Sequence, residues 1–291
     1  MVNIIKADLF RILKDRIWIA VIIGLLIGFT IPSLYTLSGM GGSSSFDQGI
    51  DLGEYIESRL PDYGVEYTYE LTTEQYREII FSIDGYKTDI DIICGAFMPL
   101  YEIIILLEVL LVTRDFSVHS IKNTLSSPVS RKTYYFSKYA LILMLSYILI
   151  VFTNLMIWIC NIFINGPDRS VPFGNLLIYT ALMLIPLTTF VTIVHAAAFV
   201  IRKSLPYSLI AIGLTLFADS FYVTFAMMLG GGDSPFIKVI KYFLTVMYSG
   251  IICIHEREFP QYISVCIPIC VTLTAVALTG CYLFFKNREV K

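Results

Sequence analysis

Three carboxylic acids lie inside long apolar stretches of the sequence: Glu102 and Glu108 share one stretch, and Asp219 lies in another. A carboxylate surrounded by hydrocarbon costs several kcal/mol unless it is paired, protonated or in contact with water. Each acid is therefore a candidate for a polar pathway through the apolar region or for a contact between helices. For Glu108, a position at the edge of that region, paired with Arg114, is an equally good interpretation.

Other polar side chains in the apolar stretches indicate packing rather than catalysis. Asn154 and Asn161 are seven residues apart, so they share one face of a helix and are suited to bonding a neighbouring helix. His195 has no second metal ligand at a suitable spacing, which favours a structural, hydrogen-bonded histidine. Cys266 and Cys270 share a helix face, but no nearby His or carboxylate completes a metal site, so we predict that they pack as small hydrophobes.

The sequence carries no catalytic motif. It has no G-x-S-x-G elbow, no H-E-x-x-H helix and no Walker A loop, and its glycine-rich segments GMGGSSS and LGGGDSP lack the phosphate-binding lysine. We therefore expect no catalytic residue, no metal and no cofactor in this chain. No soluble basic patch points to a nucleic acid partner.

The composition indicates a protein surrounded by lipid. Of its 291 residues, 56% are hydrophobic and 15% are charged, and the mean hydropathy is +0.74. A soluble domain carries about 25% charged residues. About 20 apolar residues in a helix cross a hydrocarbon core of about 30 Å. We predict an all-α integral membrane protein with six transmembrane helices, at 17–37, 92–113, 139–164, 175–201, 207–229 and 262–285.

The segments outside the spans differ in charge. Residues 1–16 predict an amphipathic helix in the membrane interface, with an apolar and a charged arc. The apolar arc holds Ile5, Leu9, Ile12 and Leu13, and the charged arc holds Asp8, Arg11, Lys14 and Asp15. Residues 38–91 form an acidic segment with twelve acidic and three basic residues, and 230–261 contain a predicted amphipathic helix.

Lys and Arg residues set the predicted orientation. Four segments are assigned to one side of the membrane, and together they hold 14 of the 21 basic residues. They are residues 1–16, the 114–138 loop, the turn at 202–203 and the tail at 286–291. Short loops rich in Lys and Arg stay in the cytoplasm. Both termini are therefore predicted to be cytoplasmic, and the segments 38–91 and 230–261 extracytoplasmic. We expect a multi-pass protein of the cell membrane, most simply a bacterial plasma membrane.

The loop at 114–138 has the most informative sequence. On charge alone it is an ordinary positively charged loop. Its order of residues, however, resembles the cytoplasmic loop of type-two ABC exporter permeases, where an acidic-aromatic start, a central I-K-N, a P-x-S-R and a Y-x-x-S-K recur. The matching residues are Asp115, Phe116, Ile121, Lys122, Asn123, Pro128, Ser130, Arg131, Tyr135, Ser137 and Lys138. Family members usually carry Gly-Thr ahead of the I-K-N, where this chain has His119 and Ser120.

The resemblance implies a transport subunit without an ATPase of its own. In that family the loop is a coupling helix seated in a cleft of a separate ATPase subunit, which binds ATP and Mg, and two permease chains, the same or homologous, form the path. Small six-span permeases of this kind resemble exporters of antimicrobial peptides or immunity proteins against them. The acidic segment 38–91 either attracts a cationic peptide or only follows the charge asymmetry of the topology. Drug or ion extrusion, and a non-transporting sensor or scaffold, remain alternatives.

Overall fold

The computed structural model describes residues 2–14, 52–64, 67, 75, 79, 97–118, 120, 121, 124, 129–213 and 259–287. Within these ranges the chain is helical and contains no strand. Three helical segments there are long and apolar enough to cross a membrane, namely Arg131–Asn165, Phe173–Ile201 and Ile267–Asn287. Their lengths and composition suit a membrane protein.

The helices with described bounds are numbered here in chain order. They are α1 (Val2–Lys14), α2 (Leu52–Arg59), α3 (Phe97–Glu108), α4 (Arg114–Ser117), α5 (Arg131–Asn165), α6 (Phe173–Ile201), α7 (Ser204–Gly213) and α8 (Phe259–Asn287). A 3-10 turn, Leu60–Tyr63, follows α2, and another, Pro167–Arg169, connects α5 to α6. A π-helical turn, Val109–Thr113, joins α3 to α4 without a break.

Three of the predicted spans coincide with long helices. Residues 139–164 lie in α5, 175–201 in α6 and 262–285 in α8. The predicted span at 92–113 is helical from Phe97 onward, and the one at 207–229 begins in α7. Outside the described residues lie the predicted span at 17–37, most of the acidic segment, and the predicted outer amphipathic helix.

Capping residues mark where α5 begins and where α5 and α6 end. Ser130 has an extended backbone, and its Oγ accepts a hydrogen bond from the backbone N–H of Thr133 at 3.0 Å, so α5 starts eight residues before the predicted span. Gly166, with φ of 86°, follows the end of α5 in a conformation that glycine adopts readily. Arg202, with φ of 61°, ends α6, and its Nε donates to the carbonyl oxygen of Phe199 at 3.2 Å.

An aromatic cluster holds four of the helices together at the end of the molecule that carries α1 and α4. Its members come from α4, α5, α6 and α8, and all are buried. The ring centroid of Phe199 lies 4.8 Å from that of Tyr135 and 4.9 Å from that of Phe285, and the centroids of Phe199 and Phe116 are 5.5 Å apart. The cluster consists of Phe116, Tyr134, Tyr135, Phe199 and Phe285. Such rings bury large apolar areas and fix the relative rotation of the helices.

The π-helical turn separates two buried acids, Glu108 and Asp115. In an uninterrupted α-helix these residues, seven apart, would point in nearly the same direction. The π turn accommodates one additional residue, and one residue corresponds to about 100° of helical rotation. Glu108 accordingly faces α6, whereas Asp115 faces α1 and α5.

The structure corrects the predicted arcs of the N-terminal helix. Asp8, placed on the outward charged arc by the sequence, is buried beside Ile12, and both have 7% of their surface exposed. Leu13, placed on the same apolar arc as Ile12, is 63% exposed. The two-arc division failed because Asp8 has a buried cation to pair with, which periodicity does not reveal.

Deleting Val109 should disrupt the fold far more than shortening its side chain. The deletion removes the additional residue of the π turn, so Glu108 and Asp115 cannot both keep their partners, and losing one partner of a buried ion pair costs about 3–5 kcal/mol. The matched control, Val109→Ala, keeps the residue count at a partly buried position and should cost about 1 kcal/mol. Thermal unfolding of both variants in detergent measures the difference. Equal unfolding temperatures would contradict this role of the turn.

Candidate functional site

Four charged side chains from three elements meet beside the aromatic cluster, and we name Asp8, Arg11, Asp115 and Lys138 the ion cluster. Lys138 is its centre: Nζ lies 2.8 Å from both carboxylate oxygens of Asp8 and 2.7 Å from Oδ2 of Asp115. Arg11 Nη1 lies 2.5 Å from Oδ1 of Asp115. Two acids and two bases make the cluster electrically neutral.

Neutral donors complete the coordination of Asp115. The hydroxyl of Tyr134 donates to Oδ2 at 2.9 Å, and that of Ser120 donates to Oδ1 at 3.2 Å. Arg11 also donates through Nη2 to the carbonyl oxygen of Leu110, in the π turn, at 3.0 Å. Asp115 is therefore bonded by α1, by α5 and by its own segment.

The two acids of the ion cluster differ in electrostatic environment. Burial raises the pKa of Asp8 above its ordinary value of 3.8, because it exceeds the opposing attraction of Lys138. Burial also acts to raise the pKa of Asp115, but there Lys138 and Arg11 together outweigh it, and the pKa lies below 3.8. Asp115 is thus the more strongly stabilised anion, as expected from its larger number of donors.

The predicted coupling residues at the start of the loop face the interior of the protein. Asp115, Phe116 and Ile121 expose 4%, 8% and 2% of their surfaces. Asp115 belongs to the ion cluster and Phe116 to the aromatic cluster. These side chains hold the segment against the helices, so any effect they have on a partner passes through the position of the segment.

The turn after α6 is joined to the same segment. Ser204, the first residue of α7, accepts a hydrogen bond from Thr113 at 3.0 Å and lies 3.1 Å from the hydroxyl oxygen of Ser117. The guanidinium carbon of Arg202 lies 5.2 Å from the ring centroid of Phe116, a cation–π contact. The described start of the 114–138 loop and the turn after α6 are therefore in direct contact.

Arg131 connects the far end of the loop to the end of α8. Its Nη1 donates to the carbonyl oxygens of Lys286 at 2.8 Å and of Phe285 at 3.5 Å. A cation at the carbonyl end of a helix is favourable because it neutralises the helix dipole. The other predicted coupling residues, Lys122, Asn123 and Pro128, lie outside the described residues.

Glu108 is paired with His195 of α6 next to the aromatic cluster. Nδ1 of His195 lies 3.0 Å from Oε1 and 3.3 Å from Oε2 of Glu108, and both residues are fully buried. The imidazole packs against the rings of Tyr135, Tyr139 and Phe199. Of the interpretations that the sequence left open, the structure gives Glu108 a helix-to-helix contact with α6.

The other polar side chains that the sequence places in apolar stretches differ in burial and in their partners. Glu102 is partly exposed. Asp219 lies outside the described residues. Asn154 is buried and donates to the hydroxyl of Thr180 on α6 at 3.1 Å, and Asn161 donates to Ser170 at 2.6 Å. Asn154 thus bonds across to the neighbouring helix.

Further polar pairs continue along the contact between α5 and α6. Tyr139 and Tyr147 of α5 each lie within hydrogen-bond distance of a threonine hydroxyl of α6. In lipid such bonds between helices stabilise association by about 0.6 kcal/mol each. The pairs are Tyr139–Thr192, Tyr147–Thr188 and Asn154–Thr180.

Asp8, Arg11 and Tyr134 contribute to the site although the sequence did not lead us to predict it. Lys138 was noted only as part of the Y-x-x-S-K resemblance. One signal was available. In a helix, Asp8 lies beside Ile5 and Ile12, so a face that packs against the protein through these isoleucines also buries Asp8. Among the described residues, no group of three His, Cys, Asp or Glu side chains is suited to a metal ion.

No protein-family model, no curated protein and no solved structure matches this chain. The site is therefore interpreted from its own geometry. Its distinguishing feature is a basic connecting segment fixed by buried ion pairs to α1 and to α5.

Replacing Lys138 with Met should strongly destabilise the protein. It leaves two buried carboxylates with Arg11 as the remaining cation of the cluster, and an unpaired buried charge costs about 3–5 kcal/mol. Lys132→Met is the matched control, since Lys132 is exposed on the first turn of the same helix, and its effect should stay within about 0.5 kcal/mol. Adding Asp8→Asn to Lys138→Met should recover part of the loss. Strictly additive effects in chemical unfolding would contradict the pairing.

The Glu108–His195 pair should tolerate joint replacement better than single replacement. His195→Phe leaves Glu108 buried without its observed partner, at a cost of about 3–5 kcal/mol, whereas the double variant Glu108→Leu/His195→Phe removes both polar groups. We expect the double variant to unfold at a higher temperature than His195→Phe. Glu102→Gln, at a partly exposed position, serves as the control. A double variant less stable than both His195→Phe and Glu108→Leu would show that the pair is not what stabilises this contact.

Proposed function

We propose that this chain is the permease subunit of an ABC exporter, with six transmembrane helices in the predicted layout and both termini in the cytoplasm. Two such chains, identical or homologous, form the path, and a separate ATPase subunit binds and hydrolyses ATP with Mg. The motif resemblance within 114–138 supports the assignment. The three long apolar helices agree with the membrane location that it requires.

The observation that carries the proposal is the attachment of the loop to the helices. A segment that passes force from a motor to a membrane path has to be stiff at both ends. Here one end is fixed by the ion cluster and Phe116, and the other by the contact of Arg131 with α8. An ordinary basic loop has no need of a buried ion cluster at one end and a bond to a helix terminus at the other.

The attachments suggest how motion is passed on. A force on residues 118–130 acts through Asp115 on α1 and α5, through Phe116 on α6 and α8, and through Ser117 on α7. Packed helices and paired charges transmit such a force as rigid-body motion rather than local bending. ATP-driven closure of the motor would thereby rotate or tilt several helices together.

The cargo proposed is a peptide, with an antimicrobial peptide as the leading candidate, in export or in self-protection. The acidic segment 38–91, with its net charge of −9, supports a cationic substrate. Drug and ion extrusion by the same machinery are outcomes that a substrate screen would distinguish. Glu102, Glu108, Asp219 and Asn154 are the polar side chains proposed to line the path or to hold its helices.

The coupling role is tested with the chain and a lone nucleotide-binding subunit, best taken from a neighbouring reading frame. The triple variant Lys122→Ala/Asn123→Ala/Arg131→Ala should lose most co-purification with the ATPase, or most stimulation of ATP hydrolysis. The control, Lys238→Ala/Lys241→Ala, alters two lysines of the predicted outer segment and should change neither. Unchanged association and ATPase activity in the triple variant would refute the coupling role.

Transport is tested separately from assembly. Asp219→Asn and Glu102→Gln should impair export of a cationic peptide into the medium more than they reduce the amount of inserted protein, since each removes a charge at membrane depth. Export equal to the unaltered protein by both variants would remove these acids from the path.

A further inference from the structure

The exposed apolar residues of α5 mark the depth of the bilayer. They form a series from Met144 to Ile164, twenty residues apart, which spans about 30 Å at 1.5 Å per residue and equals the thickness of a hydrocarbon core. Lys138 lies six residues before Met144, about 9 Å along the helix axis, and directly before the predicted span 139–164, which places it outside that core. The series is Met144, Ile148, Val151, Phe152, Leu155, Met156, Phe163 and Ile164.

The ion cluster ties α1 to this level. Asp8 bonds Lys138 and Arg11 bonds Asp115, so the helix rests against α5 at the depth of the lipid headgroups rather than of the acyl chains. The same two contacts fix the rotation of α1 about its own axis. The inward side carries Asp8 and Ile12, and the side opposite to them is set by the 3.6-residue period.

That opposite side combines large apolar groups with lysines. Phe10 and Leu13 expose 65% and 63% of their surfaces, and Lys6 and Lys14 are exposed beside them. The ammonium nitrogen of Lys14 lies 5.7 Å from the ring centroid of Phe10, so its alkyl stem covers the ring. Within the described part of α1, Asp8 is the acid, and it points inward. The exposed face is therefore apolar and positively charged.

We propose that this face of α1 binds the surface of an anionic phospholipid bilayer. Phe10 and Leu13 enter the boundary between headgroups and acyl chains, and Lys6 and Lys14 contact the lipid phosphates. Apolar side chains flanked by lysines are the chemistry that recognises a negatively charged membrane surface. This surface is independent of the ATPase, and it follows from the inward rotation of Asp8 and Arg11.

The full-length chain is reconstituted in nanodiscs of phosphatidylcholine, with or without a fraction of phosphatidylglycerol, and its unfolding temperature is measured. Phosphatidylglycerol should raise that temperature, and added salt should reduce the rise because it screens the lysines. Lys6→Glu/Lys14→Glu should remove at least half of the rise. The matched control, Lys132→Glu/Lys203→Glu, changes two exposed lysines outside α1 and should retain most of it.

Three results would count against binding of this face to anionic lipid. Equal unfolding temperatures in the two lipids, or equal losses in the two double variants, would overturn it. An unfolding temperature set by protein concentration, regardless of lipid, would assign the face to a second copy of the chain. Should Lys6→Glu/Lys14→Glu fail to fold, Lys6→Gln/Lys14→Gln replaces it, with the same comparison. An intact ATPase response in these variants would leave the coupling proposal standing on its own.

Discussion

The burial of the Lys138 ammonium is the constraint on which the rest of this end of the molecule depends. With 1% of its surface exposed, the Lys138 side chain has little contact with water, and the two anions beside it, Asp8 and Asp115, come from α1 and α4. The ion pairs of Lys138 with these two acids fix α1 and the start of α4 against α5. Such a cluster adds little to net stability, because desolvation offsets most of the attraction. Its effect is specificity, since each alternative packing leaves a buried charge alone.

The π-helical turn reconciles this constraint with a second one. Glu108 needs a buried partner on α6, and Asp115 needs partners on α1 and α5. A regular helix would direct both acids to the same side. The additional residue between them separates their directions. Arg11 bonds the carbonyl oxygen of Leu110 within that turn, so the ion cluster also supports the irregular backbone that it requires.

Local signals in the sequence were sufficient for much of the fold but not for the site. The lengths of the apolar stretches predicted where α5 and α6 lie, because they are properties of neighbouring residues, although α5 begins eight residues before the predicted span. Asp8 was assigned to the wrong face, since its partner Lys138 is 130 residues away and periodicity scores any charge as outward. The π turn left no trace in the hydrophobic pattern, so the separation of Glu108 from Asp115 could not be anticipated. His195 has the hydrogen bond that the sequence led us to expect, but its partner depends on tertiary packing.

The two proposals together restrict how the loop can move. If α1 is fixed to Asp115 and Lys138 on one side and to lipid headgroups on the other, a force on the loop cannot push α1 deeper into the membrane without burying Lys6 and Lys14 in hydrocarbon. Placing a lysine there costs about 2.5–3.5 kcal/mol. Sliding within the plane of the membrane carries no such cost. Motion transmitted from a motor would therefore become lateral displacement of α1 with tilting of α5, because that path keeps each charge either paired or in contact with headgroups.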